Sequence, residues 1–178
     1  MRTSAYARAE GDWYIEPRWA VDALLDVEDF PGQSWDPACG GGNIPTTMKR
    51  RGLHCVGSDI ADRGFGITGL SFFNATLVAD HIVSNPPYAL VEPFLTHAFR
   101  VARGKVAILA RLAFLEGSKR KKTLFEQHPP TRVWISSRRI NMPPGGRSDI
   151  KSTGGKTAYA WFVWDSQNHG EAPMIGWF

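Results

Sequence analysis

Asp36-Pro37-Ala38-Cys39-Gly40-Gly41-Gly42 lies between Gln33–Trp35, which reads as a short strand, and a helical pattern at 43–51, and its reading decides the fold. A strand that ends on an acid and turns through consecutive glycines into a helix is the first half of a βα unit. Glycines in such a turn let the backbone come close to a ligand at the carboxyl end of a parallel sheet. Eighteen residues past Gly41, the run Cys55-Val56-Gly57-Ser58 ends in Asp59. An acid at about that distance hydrogen-bonds ribose hydroxyls in dinucleotide-type folds. The turn is not G-x-G-x-x-G, because Ile44 and Pro45 follow Gly42, and it carries no Lys or Arg to meet a pyrophosphate. This favours a nucleoside ligand without phosphates. The alternative is a tight turn that merely packs a helix on a sheet.

Outward from the turn, helix and strand signals alternate, which is the α/β signature. Before it, Pro17 suits the first position of a helix running to residue 26, with Trp19, Ala20, Ala23 and Leu24 at three-to-four spacing. After it, Asn43 suits a cap for the helix at 43–51, and strands are expected at 54–58 and 81–84. A helix at 91–102 and a buried strand at 105–110 follow, then a helix capped by Ser118 through 127, and strands at 132–135 and 159–164. Residues 61–79 contain Gly64, Gly66 and Gly69, which argue against a long regular helix. The stretch 136–156 holds four glycines, two prolines and five basic residues against one acid, and reads as a long flexible basic loop. The whole chain, 1–178, reads as one domain, with an N-terminal arm and helix over 1–30.

Asn85-Pro86-Pro87-Tyr88 directly follows the strand at 81–84. Two prolines fix φ near −65° and remove two N–H donors, which leaves the carbonyls of Asn85 and Pro86 rigid acceptors. The Asn85 side chain adds a further carbonyl and Tyr88 an aromatic face. Together these can hold a planar group bearing an exocyclic NH₂, with acceptors taking its hydrogens and the nitrogen lone pair aimed at an electrophile. A Pro-Pro loop with a buried Tyr is the plainer alternative.

Charge narrows the partner. Net charge is +4, but residues 1–99 carry −5 and residues 100–156 carry +11. Such asymmetry points to a polyanionic partner, most often nucleic acid, with a solvated Lys/Arg surface as the equally weighted alternative from charge alone. Hydrophobic residues are 43% and charged residues 21%, which excludes wholesale disorder. No stretch reaches the roughly 18–20 apolar residues needed to cross a bilayer, and the opening residues lack the apolar run of a secretory signal. A soluble, reduced, cytoplasmic protein with no membrane partner is expected. Two cysteines and five histidines show no metal-ligand spacing, so no metal is expected.

The two motifs, in this order, resemble the class I S-adenosylmethionine-dependent methyltransferases that act on amino groups, and most of all the DNA adenine-N6 methyltransferases of small phage or prophage type. The likeness spans about residues 12–165, with DPACGGG, the Asp59 strand end and SNPPY as its specific parts. It implies a Rossmann-like doubly wound, mostly parallel sheet with one antiparallel strand toward an edge, and S-adenosylmethionine as cofactor. By the same likeness, Tyr14, Glu16 and Pro17 would touch the methionine part, with Glu16 where the family has Thr. Asp36, Ala38, Cys39, Gly40 and Gly42 would wrap the cofactor, Asp36 facing its ammonium. Asp59 would hold the ribose, Ile60 would lie on the adenine, and Ser71-Phe72 stand at a pair that is Asp-Phe in the family. Asn85, Pro86, Pro87 and Tyr88 would hold and stack the target base.

In the basic segment, Lys119, Arg120, Lys121, Lys122, Arg138, Arg139, Arg147, Lys151 and Lys156 are candidates for the phosphate backbone of DNA, or of RNA. Arg111, at the end of the strand at 105–110, is a candidate substrate contact. Trp161, Phe162, Val163 and Trp164 read as a core strand. Methylation of RNA guanine N2 or of protein glutamine N5 uses a similar loop, and a non-catalytic nucleic-acid-binding module with a vestigial pocket is a further reading.

Overall fold

A computed structural model describes residues 12–145, 157–168 and 172–178. Eight strands form one sheet in the order β3-β2-β1-β4-β5-β7-β6-β8. They are β1 (Gln33–Asp36), β2 (His54–Asp59), β3 (Ile67–Thr68), β4 (His81–Ser84), β5 (Lys105–Arg111), β6 (Arg132–Ile135), β7 (Tyr159–Asp165) and β8 (Met174–Trp177). β1 pairs in parallel with both β2 and β4, and β4 with β5. β7 runs antiparallel between β5 and β6. This is the Rossmann-like, mostly parallel sheet with an antiparallel portion toward one edge. Chain order reverses at β1, between β2 and β4, and that switch point is where α/β sheets open a crevice.

The sheet separates two apolar layers, and alternation along the strands feeds both. On one face, Trp35, Ile82, Val106, Ile108, Phe162 and Trp164 pack with helix α3 (Val91–Val101). On the other, Val83, Ala107, Leu109, Trp161 and Val163 pack with α1 (Arg18–Val27) and α2 (Asn43–Arg50). Every residue of β7 is buried, so 161–164 form core, and the Trp161 indole donates to the Ala20 carbonyl at 2.8 Å. Below the carboxyl ends, Glu28 accepts from Lys105 Nζ (2.7 Å), Trp134 Nε1 (2.9 Å) and Arg132, which also bonds Asp165 (2.9 Å). Burial alone raises the Glu28 carboxyl, but these three donors overcome it and hold it below its ordinary value.

Several local expectations shift. Pro17 stands one residue before α1, at its cap. Gly42, at φ 81, takes the cap of α2, so Asn43 begins the helix and its amide donates to the Glu16 carbonyl at 2.8 Å. The helix expected through 127 is one α-turn, Ser118–Arg120, running into a wide turn, Lys121–Phe125. That widening accompanies Leu124 entering the core and Phe125 meeting Phe114 edge-on at 5.6 Å. β3 and β8 are edge strands without a predicted counterpart.

Candidate active site

An N-terminal arm crosses the carboxyl ends of the central strands. The Ile15 N–H donates to the Pro143 carbonyl (2.9 Å), and the Gly145 N–H to the Trp13 carbonyl (2.9 Å). The first part of the expected flexible loop is therefore fixed: 143–145 pairs with the arm, Ile140 is buried, and Ser137 bonds the Phe178 carbonyl. Arg147, Lys151 and Lys156 lie outside the described residues.

The glycine turn is ordered by Asp59. One Asp59 oxygen accepts the Gly40 N–H (3.0 Å), the other accepts the Ala61 N–H (2.9 Å) and meets Arg63 at 3.5 Å. A carboxylate has about four lone-pair sites, so Asp59 keeps capacity for hydroxyl donors. Gly40 and Gly42 have φ of 52° and 81°; a Cβ on Gly40 would strike the Trp13 indole, whereas Gly41 faces open space. Asp36 is enclosed at 1% exposure and accepts from Ser84 Oγ at 2.7 Å and the Ala38 N–H at 3.3 Å. Burial, with the carboxylates of Glu16 and Asp59, holds the Asp36 carboxyl well above its ordinary range. Cys39 is no nucleophile: burial and the charges of Asp36 and Asp59 push its thiol up to about 12.

The 85–88 loop meets the arm. Asn85 Nδ2 donates to the Tyr14 carbonyl (3.0 Å) and to Glu16 Oε2 (2.9 Å). Both amide hydrogens are thereby used, which fixes the amide's orientation. Asn85 Oδ1 is enclosed and has no donor among the described residues. Glu16 is itself buried, and desolvation raises its carboxyl to about 7 against the Asn85 bond. Tyr88 is half-buried rather than presented to solvent. Tyr14 stacks on its ring at 5.7 Å and 20°, the Arg111 guanidinium lies over it at 4.7 Å, and its buried hydroxyl faces Tyr159, whose ring lies 6.1 Å away. A planar ligand stacking on Tyr88 must therefore displace one of these neighbours.

Between turn, arm and loop lies a cleft of about 290 Å³. The sequence candidates Tyr14, Glu16, Ala38, Cys39, Gly40, Asp59, Ile60, Ser71, Phe72, Asn85 and Pro87 line it; Pro17, Asp36, Gly42, Pro86 and Tyr88 do not. The carboxylates on the wall are thus Asp12, Glu16 and Asp59, in place of Asp36. Trp13, Arg63 and the exposed Phe73 also line it and were not anticipated; Arg63 lies over the Trp13 ring at 4.1 Å. The aromatic position just ahead of Tyr14 was their only signal. Phe72 both lines the cleft and packs edge-on against Trp35 at 5.3 Å, so it carries core and wall together.

The basic candidates divide. Lys119, Lys121 and Lys122 are exposed. Arg120 turns inward, bonding Glu92 (2.9 Å) and the carbonyls of Phe114 and Glu116 (2.7 Å each). Its three partners engage Nε and Nη1 and tie the lysine turn to Glu92, two residues past cleft-lining Leu90. Arg138 and Arg139 are exposed, Arg138 stacked on Trp19 at 4.4 Å.

No family model and no curated protein matches the sequence. Solved structures do. A provisionally assigned RNA methyltransferase from Pyrococcus horikoshii superposes with a TM-score of 0.60 at 14% identity, over 83% of this chain and 80% of that one. Magnesium protoporphyrin IX methyltransferase from Synechocystis, solved with S-adenosylmethionine bound, gives 0.57 at 12%, over 83% and 78%. A modification subunit of a provisionally assigned type I restriction enzyme from Vibrio vulnificus gives 0.56 at 11%, over 91% of this chain and 45% of that one. Identities this low carry the fold, which is that of the class I S-adenosylmethionine-dependent methyltransferases. Among the described residues, no helix is long and apolar enough to cross a membrane.

Proposed function

We propose that the chain transfers a methyl group from S-adenosylmethionine to the N6 amino group of adenine in DNA. The observation that carries this reading is Asn85 on the wall of a nucleoside-sized cleft, with Nδ2 committed to the arm and Oδ1 enclosed behind that wall with no donor among the described residues; a substrate amine reaches Oδ1 once the side chains covering it move. A buried acceptor without a donor costs about 1–3 kcal/mol, and an amino hydrogen from a substrate relieves it.

The cleft fits the cofactor by its donor set. Asp59 offers lone pairs to ribose hydroxyls, Ile60 an exposed apolar flank to an adenine ring, and open Gly41 leaves room for a close approach. When bound, the cofactor supplies an electrophilic methyl group on a sulfonium. The protein's own part is positioning. Asn85 Oδ1 accepts one amino hydrogen, which aims the nitrogen lone pair, and Pro86, behind the cleft wall, holds the loop rigid. Holding two reactants in line is worth about 7–11 kcal/mol at best. The proton lost from the methylated amine leaves to solvent, so no covalent intermediate is needed.

A base within a duplex must be flipped out first, at a few kcal/mol. Stacking on Tyr88 returns about 1–3 kcal/mol, against about 0.5–1 kcal/mol for an exposed cation over a ring. The base therefore displaces Arg111 rather than the reverse. Lys119, Lys121, Lys122, Arg138 and Arg139 supply the phosphate-facing charge, with Arg120 as the anchor of the lysine turn.

The test has two arms. S-adenosylmethionine or its demethylated product should raise the melting temperature, and labelled methyl should pass to DNA, with Asn85→Ala as the inactive control. Binding without transfer to any acceptor favours the vestigial module; transfer to RNA guanine or to a protein glutamine reassigns the substrate.

A further inference from the structure

We infer that Glu16 is a positioning residue: its carboxylate, from the N-terminal arm, locks the Asn85 amide so that Oδ1 and not Nδ2 is the atom left unpaired for the acceptor amine. The inference rests on the methyl-transfer reading and deepens it. Asn85 Nδ2 has two partners, the Tyr14 carbonyl at 3.0 Å and Glu16 Oε2 at 2.9 Å, and Oδ1 has none. A half-turn of the amide would place Oδ1 against a carbonyl and a carboxylate, two acceptors facing an acceptor. That arrangement is strongly disfavoured while Glu16 is ionised. A protonated Glu16 carries an O–H that can donate to the turned amide, and the preference weakens. The ionised form is thus the one that prepares the site.

The surroundings show which groups bear on this switch. Glu16 faces Asp36 from the end of β1, Cys39 from the glycine turn and the Tyr88 phenol from the loop after β4. Asp59, ion-paired to Arg63, acts on it through Asp36. Burial holds the proton on Glu16 and puts its carboxyl at about 7; the Cys39 thiol and the Tyr88 phenol, both pushed up, are neutral there, and an ionised Asp36 adds to the effect of burial. Asn43 bonds the Glu16 backbone carbonyl, which fixes the residue without engaging its carboxylate.

Two readouts test this on the full chain. The first needs no turnover: the side-chain ¹⁵N–¹H₂ signals of Asn85, assigned by their loss in Asn85→Ala, are followed from pH 5 to 9. The inference expects both to move with a midpoint near 7, and expects that titration to vanish in Glu16→Gln. Signals that stay still, or that titrate in Glu16→Gln but not in Asp36→Asn, overturn it, since Asp36 would then be the acid concerned. The second is turnover at saturating cofactor. Wild type should rise with pH along an acid limb with a midpoint at or below about 7. Glu16→Gln, whose amide can accept from Asn85 or donate to it as protonated Glu16 can, should lose that limb and stay near the acid-side level of wild type at every pH, and Glu16→Leu, which can do neither, should fall below it. Equal turnover in the Gln and Leu variants overturns the inference. A titrating amide in a chain that methylates nothing refutes the methyl-transfer reading and leaves the Glu16–Asn85 coupling standing, so the two failures are distinguishable.

Discussion

Replacing Glu16 by Gln should stabilise the fold at alkaline pH and leave it nearly unchanged in acid. Glu16 is 7% exposed, and its carboxyl is raised from 4.5 to about 7 by burial. A folded-state value above the unfolded one means that the native chain binds the proton more tightly. The penalty for ionising it is absent below about 4.5, grows as pH rises, and is complete above about 7. At about 1.4 kcal/mol per pH unit, that gap corresponds to about 3 kcal/mol. Gln keeps the shape and the Asn85 contact without the charge. For a chain of this length, 1 kcal/mol moves the melting temperature by about 2–4 °C, so Glu16→Gln should gain about 6–12 °C at pH 8.5 and little at pH 4.5. Thermal unfolding of both chains across that range measures it. Their difference cancels the titrating groups that Glu16 does not touch; Asp36, which the Glu16 charge raises, is relieved in the variant and adds to the gain at alkaline pH. A gain of equal size at both ends, or a loss at pH 8.5, would refute the reasoning. A buried acid retained at such a cost fits a residue kept for the site rather than for the fold.

Other outcomes follow from the same geometry. Asn85→Ala should reduce methyl transfer on the order of 100- to 1000-fold, as for loss of one preorganised polar contact, with the cofactor-induced melting shift preserved. Gly41→Ala should leave the unliganded melting temperature unchanged, because nothing lies within 4 Å of the added carbon, yet shrink the shift induced by cofactor. Gly42→Ala, at φ 81° with Phe65 in the way, should instead destabilise the unliganded chain by about 1 kcal/mol or more. Neutralising Lys119, Lys121 and Lys122 together should weaken DNA binding alike for all sequences and flatten its salt dependence; unchanged affinity removes the turn from the interface. Glu28 and Asp165 both lie below the ordinary carboxylate range through Arg132 and its neighbours. Their contribution is present above the unfolded value of about 4 and is lost as pH falls through the lower folded values. Arg132→Met should therefore destabilise the chain at neutral pH and by much less in strong acid.

How far the sequence reaches depends on what each element reports locally. β4 and β6 are found residue for residue, and β1, β2 and β5 to within one residue, because glycines, acids and prolines punctuate them. β3 has two exposed residues and β8 four weakly covered ones, so pairing with a neighbour, and not hydrophobic pattern, makes them strands. The acid at the end of β2 and the glycine turn are legible because backbone chemistry alone demands those residue types. The role of Glu16 is not: it depends on an arm folding back some 70 residues to meet Asn85. Likewise, the run at 119–122 reads as four equal cations, but Glu92 claims Arg120 from 28 residues away. Tyr88 is the sharpest case, where local sequence promises an open aromatic face and tertiary packing covers it with Tyr14 and Arg111.

The most direct measurement is the nucleoside that acquires label when the chain is incubated with methyl-labelled S-adenosylmethionine and duplex DNA, separated by chromatography after digestion. The account predicts label in N6-methyladenine, absent with Asn85→Ala. Label in 5-methylcytosine, or none in DNA while the chain binds the cofactor, would contradict it.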